Sequence, residues 1–315
     1  MDEELILRNV VEVVTSEELS SLLSGKKNPS VYCGFEVSGP VHVGTLVAAT
    51  KLKDFMDAGF KVKVLLADVH TRLNRKDVDL DAMIEYWRES FKAFGLKKAE
   101  YILGSSFQFN DEYIQDVLEI GLKTTLNRAL RSMQEVARDI EHAHVSQVIY
   151  PLMQIADIKA LSVDVSYGGI EQRKIQMLAR EVLPEIGYKK PVCVHTPLIS
   201  SLKGPDVKMS SSIPDSMISV QDTPEEISAK VKSAYCPTEK AGNPILGVTE
   251  LVIFPRTGIV EVKRQGKFGG DVSYDSYERL EGDYLSGKLH PQDLKSAVST
   301  ALSALLEPVK EILAK

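Results

Sequence analysis

The feature that most constrains this chain is an alternation between short β-branched or aromatic runs and helix-length stretches. Residues 30–36, 61–68, 101–103, 163–166 and 192–194 read as strands, each bounded by turn residues or by a change to helical spacing. A capping box at Thr15, Ser16, Glu17 and Glu18 starts an early helix. Further helices are predicted from Val41 to the stop at Gly59, and over 80–94, 111–122, 124–138, 147–161 and 170–183. Strands separated by helices pair in parallel, which predicts an α/β fold: a Rossmann-like parallel sheet with helices on both faces. Ligands of such sheets bind at the carboxyl ends of the strands. Beyond it, helices over 224–235 and 291–313, with a short strand at 259–262, predict a mostly helical C-terminal domain.

The turn after the first long strand carries the first candidate chemistry. His42 lies in the run Gly39, Pro40, Val41, His42, Val43, Gly44, Thr45 and is expected in the first helical turn. Free N–H groups and the positive end of the helix dipole favour an anion there. Gly44, without a side chain, lets a base or phosphate approach the backbone. The alternative is an ordinary strand-to-helix turn with a solvent-facing histidine.

A second polar segment lies far downstream. Residues 201–216 contain Gly204, Pro205, Lys208, Met209, Ser210, Ser211, Ser212 and Pro214, so no regular element runs through them and an exposed, mobile loop is expected. Serines solvate a linker equally well. The lysine adds a charge that, with hydroxyls and turn N–H groups, holds a polyphosphate.

The third signal is a polar stripe in an apolar helix. Tyr150, Gln154 and Asp157 are spaced four and three apart and share one face of an otherwise apolar segment. Buried polar groups need partners, and the stripe is either a structural network or a reader of a polar ligand. Pro151 belongs in a first turn, so this helix should begin close to Tyr150.

At 315 residues the chain has room for about two domains. A net charge of −6 opposes general nucleic-acid binding, yet Lys123, Arg128 and Arg131 lie close together, and Arg173 and Lys174 form a second cluster. Cys33, Cys193 and Cys236 lack metal-ligand spacing and read as reduced packing residues. No apolar run is long enough to span a bilayer, and a cytoplasmic location is expected.

Several separated segments together resemble the archaeal and eukaryotic-type tyrosyl-tRNA synthetases, a class I family. They are the run 32–39, the stripe from Val148 to Asp157, residues 167–174, the serine loop, and the segments 267–271 and 289–295. The resemblance implies that Tyr32 and Asp157 bind the substrate phenol, while Glu36, Tyr150, Gln154 and Gln172 hold the amino-acid end. A site that satisfies a hydroxyl strands its own polar groups when the hydroxyl is absent, a discrimination for which tyrosyl-tRNA synthetase is itself the standard illustration. ATP would meet Gly34, Gly39, His42, Gly44, Thr45, Glu171, Lys208 and Ser211, with His42, Lys208, Ser210 and Ser211 catalytic and Mg2+ bound through ATP. Arg131, Arg173 and Lys174 would touch the tRNA acceptor stem, and Phe268, His290 and Asp293 its anticodon.

The implied organisation is a catalytic domain over 1–203 with a helical insertion at 105–145, a mobile loop and linker over 204–222, and an anticodon-binding domain over 223–315. A homodimer through residues 110–140 is implied as well. The chain departs from the class pattern at Thr45, usually a second histidine, and at Ser211, usually a second lysine; a bound potassium or similar cation could compensate. Related tryptophanyl enzymes, a non-catalytic RNA-binding paralogue and a small-molecule nucleotidyltransferase are the competing readings.

Overall fold

The apolar runs pair as one six-stranded sheet in the computed structural model, which describes residues 1–74, 77–133, 144–207, 209 and 213–314. The strands are β1 (Glu12–Val14), β2 (Ser30–Phe35), β3 (Lys61–Leu66), β4 (Glu100–Leu103), β5 (Val165–Gly169) and β6 (Val192–Thr196). Their order is β1-β6-β5-β2-β3-β4, with every pair parallel except the antiparallel edge pair of β1 and β6. β1 is absent from the sequence reading because three half-buried residues carry no alternation; its pairing with β6, Glu12 opposite His195, makes it a strand.

The helices of this region are α1 (Glu3–Leu7), α2 (Ser16–Gly25), α3 (Val43–Asp57), α4 (Asp68–Leu73), α5 (Leu80–Phe91), α6 (Asp111–Lys123), α7 (Leu126–Ser132), α8 (Val145–Ala160) and α9 (Arg173–Val182). The predicted capping box forms at α2, where Thr15 Oγ1 accepts from the Glu18 N–H and a Glu18 carboxylate oxygen accepts from the Thr15 N–H. The helix expected over 80–94 instead changes to a π turn at Lys92–Leu96, where Gly95 takes φ 115°. The helix expected over 124–138 begins as α7, and residues 134–143 lie outside the described residues. The expectation for α8 is corrected: it starts at Val145, so Pro151 sits inside the helix. The His144 N–H donating to Gln147 Oε1 at 2.9 Å stops the chain a full turn before the proline.

Two compact units emerge. One comprises Met1–Ser38, Lys51–Arg88 and Leu96–Pro197; the other comprises Gly39–Thr50, Glu89–Gly95 and Leu198–Lys315. In the first, Ile120 of α6, Ile155 and Ile158 of α8, Val163, and Ile175 and Val182 of α9 form a hydrophobic core with Tyr32 and Leu65 of the sheet. Each such aliphatic side chain contributes about 1.5–3 kcal/mol by leaving water. Ahead of β5, Asp164 accepts from Lys26 at 2.7 Å and from the Ser30 N–H at 2.8 Å, and pairs with Lys189. Burial pulls its pKa upward, but Lys189, Lys26 and Ser30 outweigh that and hold it at about 2.

The second unit adds α10 (Pro224–Ser233), α11 (Pro244–Val248), α12 (Phe254–Thr257), the hairpin β7 (Val260–Val262) and β8 (Val272–Tyr274), α13 (Tyr277–Leu285) and α14 (Pro291–Leu313). The region is mostly helical as expected, and the predicted short strand acquires a partner in β8. Among the described residues no helix is long and apolar enough to cross a membrane.

Candidate functional site

β2 lies at the point where the strand order reverses, with β3 on one side and β5 on the other. Crevices outside the carboxyl ends of such strands take ligands. β2 ends at Phe35 beside Glu36, and β5 runs through Gly169 into a 3-10 turn at Ile170–Gln172. Tyr32 is buried within β2, while Gly34 is exposed near its end.

The polar stripe of α8 faces this edge. Asp157 is 1 % exposed. Its Oδ1 accepts from Gln108 Nε2 at 2.7 Å and from the Tyr113 hydroxyl at 2.8 Å, and its Oδ2 stands 3.8 Å from His70 Nε2. Burial raises the Asp157 pKa to about 7, against the opposing pull of Gln108 and Tyr113. Tyr32 donates to the Gln154 carbonyl at 3.4 Å, and burial and then the Asp157 charge push its phenol well up. Both groups are therefore buried, Tyr32 against the backbone of the helix that carries Asp157.

The remaining stripe residues build a polar chain. Gln154 Nε2 donates to Gln172 Oε1 at 3.0 Å, and Gln172 Nε2 to Glu171 Oε1 at 3.3 Å. Gly168 makes room for this chain, since a Cβ there would stand 2.8 Å from Gln172 Cγ. Tyr150 is pushed up by burial, then by the Glu36 carboxylate that hydrogen-bonds it. Asn74 Nδ2 donates to both Glu36 oxygens at 2.9 and 3.1 Å.

His70, Asn74, Gln108 and Tyr113 are site residues that the sequence reading missed. His70 and Asn74 follow β3 and Gln108 follows β4, so the rule that ligands sit beyond strand ends was the available signal. Gln108, between two phenylalanines, is fully buried, which composition could not reveal.

In the second unit His42 precedes α3 rather than sitting within its first turn, because its carbonyl accepts the Leu46 N–H at 3.0 Å. Its backbone forms a bridge with Ser219, and the Val43 N–H donates to the Ile218 carbonyl at 2.9 Å. The Gly44 N–H donates to His42 Nδ1 at 3.1 Å. That bond makes Nδ1 the acceptor and leaves the proton on Nε2. Burial lowers the His42 pKa to about 4, so the ring is neutral at pH 7. A Cβ on Gly44 would lie 3.0 Å from the His42 ring and from Met209 Sδ. Gly39 and Thr45 flank this turn and are half-buried.

The serine loop is closed at its base by the Leu202 N–H on the Ser216 carbonyl at 3.0 Å. Lys208, Ser210 and Ser211 lie outside the described residues.

Of the basic candidates, Arg131 is exposed and donates to the Asn127 carbonyl at 3.2 Å. Arg173 is exposed and bound through Nε to both oxygens of Glu12, at 2.9 and 2.7 Å, with Lys174 exposed beside it. Phe268 is 60 % exposed, under Lys267 Nζ at 4.9 Å from its ring centre. His290 caps α14, its Nδ1 accepting from the Gln292 N–H at 3.1 Å, and Asp293 follows in the first turn. The structure thus brings Phe268, His290 and Asp293 into the second unit, and the tyrosine-pocket candidates into the first.

A buried carboxylate beside the switch point of a parallel sheet, and a buried histidine at a helix start, are features of nucleotide-binding α/β enzymes. The family model for tRNA synthetases class I (W and Y) matches residues 24–307, and the chain belongs to that family. It is 49 % identical over 310 residues to a tyrosine–tRNA ligase of Methanoculleus marisnigri, covering 98 % of this chain and 97 % of that protein. It is similar, at a TM-score of 0.95 and 48 % identity with 98 % of both chains covered, to the crystal structure of a tyrosyl-tRNA synthetase from Archaeoglobus fulgidus complexed with L-tyrosine. A tryptophanyl-tRNA synthetase from Aeropyrum pernix shares the fold at a TM-score of 0.74 and 20 % identity, over 95 % of this chain and 81 % of that one.

Proposed function

We propose that this chain is a tyrosine–tRNA ligase. It joins L-tyrosine to ATP as tyrosyl-adenylate with release of pyrophosphate, then transfers tyrosine to the 3′-terminal ribose of tRNA(Tyr). The observation that carries this reading is the burial of both Tyr32 and Asp157 at α8, where the Tyr32 hydroxyl meets the Gln154 carbonyl and the Asp157 charge helps raise the Tyr32 phenol. The near full-length similarity to tyrosine–tRNA ligases supports it.

The substrate phenol donates to Asp157 and meets the Tyr32 hydroxyl. Glu36, Tyr150, Gln154 and Gln172 hold the ammonium and carboxylate. The tyrosine carboxylate attacks the α-phosphorus in line, so no protein nucleophile is needed. Positioning and stabilisation of developing phosphate charge supply the rate. His42 Nε2–H donates to phosphate oxygen, as do Thr45 and the turn N–H groups beside Gly39 and Gly44. Gly34 leaves the strand edge open to the nucleotide, and Glu171 accepts from its ribose hydroxyls. Lys208, Ser210 and Ser211 complete the phosphate cradle when the loop closes. ATP enters as its magnesium complex, with the metal held by phosphate oxygens.

Arg131, Arg173 and Lys174 take the acceptor stem, and Phe268 stacks on an anticodon base whose edge His290 and Asp293 read. Two copies associate through α6, where Ile114, Leu118 and Leu122 recur every four residues and are 42, 64 and 79 % exposed. Such an apolar stripe marks an interface. The enzyme works in the cytoplasm, where its tRNA is.

ATP–pyrophosphate exchange with tyrosine, tryptophan and phenylalanine, followed by charging of tRNA transcripts, tests the reading. Exchange with tyrosine alone and charging of tRNA(Tyr) are expected. Folded protein that exchanges with none of the three would transfer the reading to a non-catalytic RNA-binding paralogue.

A further inference from the structure

Gln108 is fully buried, and its carboxamide is committed on both N–H bonds. One donates to Asp157 Oδ1 at 2.7 Å, and the other points to His70 Nδ1 at 3.4 Å. Burial lowers the His70 pKa to about 4, so its ring is neutral and can accept at Nδ1. Tyr113 donates to the same Asp157 oxygen. The two donors crowd onto Oδ1, while Oδ2 accepts no hydrogen bond from the described residues and stands 3.8 Å from His70 Nε2.

The seat for this carboxamide is Gly104. A Cβ on Gly104 would lie 2.5 Å from Gln108 Oε1, 3.0 Å from its Cδ and 3.0 Å from Asp68 Oδ1. Gly104 has no positive φ, so its missing side chain is a matter of space and not of backbone freedom. Asp68 cannot give way cheaply, since its Oδ1 accepts the Ser105 N–H at 3.0 Å. Gln108 must then move, and in a packed interior it moves only by leaving Asp157 or His70.

We propose that Gly104 and Gln108 are positioning residues for substrate selection: the bare Gly104 seats the Gln108 carboxamide against one Asp157 oxygen, which presents the other to the substrate hydroxyl. The inference rests on the tyrosine reading and goes beyond it by assigning selectivity to residues that do not touch substrate. Without the seat, Asp157 rotates and shares both oxygens with Gln108 and Tyr113, and the phenol loses its aligned acceptor. Phenylalanine, which makes no such bond, is unaffected.

The test is a double-mutant cycle of Gly104→Ala and Gln108→Ala, read as kcat and KM for tyrosine and for phenylalanine in ATP–pyrophosphate exchange. Gly104→Ala is expected to raise the tyrosine KM by ~10-fold or more, on the scale of a hydrogen bond to a charged group, with kcat changed by less than ~3-fold. The tyrosine-to-phenylalanine ratio of kcat/KM falls by the same factor. In the Gln108→Ala background the glycine change then adds nothing. Additive effects, an equal loss for both amino acids, or an unchanged ratio would each overturn the proposal. Should Gly104→Ala fail to fold by thermal unfolding, Gln108→Met, which keeps volume and removes both donors, must lower the ratio by ~10-fold on the same scale; an unchanged ratio overturns the proposal equally. Wild-type protein without tyrosine-dependent exchange would refute the function itself, whereas a selective wild type with an additive cycle refutes only this inference.

Discussion

The Gly44 N–H donates to Nδ1 of His42 at 3.1 Å, so the backbone of the turn selects the tautomer of the imidazole it carries. With Nδ1 occupied, Nε2–H is the donor available to a phosphate, and burial keeps the ring neutral to about pH 4. In the proposed reaction His42 therefore acts by hydrogen bonding and not by charge. His42→Ala is expected to lower adenylate formation by ~10²-fold, as for loss of one donor to a developing oxyanion. His42→Asn should retain more activity than His42→Ala, and neither should introduce a titration between pH 5 and 8 in single-turnover assays. Equal activity of wild type and His42→Ala would remove the residue from the reaction.

Asp157 supplies a pH prediction. Its folded pKa of about 7 lies above its ordinary carboxylate value, so its favourable contribution is complete below pH ~4 and is lost as pH rises through about 7, a change of up to about 4 kcal/mol. Tyr32 and Tyr113 face it and do not ionise in that window, whereas His70, lowered by burial from 6.5 to about 4, contributes a slope of the opposite sign, gaining stability as pH rises from 4 to 6.5. In urea unfolding the stability of wild type relative to Asp157→Asn should therefore fall between pH 4 and 7, the difference cancelling the His70 slope common to both proteins. Tyrosine affinity should run the other way, strengthening as pH rises through 7, because the carboxylate is the stronger acceptor. A wild-type tyrosine KM that is constant from pH 5.5 to 8 would contradict the assignment.

Lys208 heads the serine loop, in which Ser210, Ser211 and Ser212 carry no further charge. Lys208→Ala is expected to lower adenylate formation by at least ~10-fold, the scale of a lost charge-assisted contact. Pre-steady-state pyrophosphate release measures it directly, and a near-normal rate would exclude the lysine from the mechanism.

Leu118 stands in the middle of the exposed stripe on α6. Leu118→Glu places a charge in the proposed contact between copies and should shift the protein to monomer in sedimentation equilibrium, at little cost to monomer stability because the position is solvent-facing. A wild type that is already monomeric at micromolar concentration would remove the dimer from the reading.

Asp293 lies in the first turn of α14, next to the His290 cap. Asp293→Ala should weaken tRNA charging while leaving adenylate formation unchanged. Parallel loss in both assays would indicate damage to the helix start instead.

The sequence by itself determined the alternation that makes a parallel sheet, the turn holding His42 and Gly44, and the stripe of Tyr150, Gln154 and Asp157. These are local signals, written as periodicity or as residue type at a turn. It misplaced the start of α8 because Pro151 looks like a first-turn residue, whereas the His144–Gln147 contact sets the start a turn earlier. Strand β1 depended on a partner more than a hundred residues away, at β6. Only the tertiary structure decided that Gln108 and Tyr113 meet on one oxygen of Asp157, that His70 stands beside the other, and that Glu12 holds Arg173. Such contacts join elements distant along the chain, and their energies arise from burial and direction in space, quantities that no run of neighbouring residues encodes.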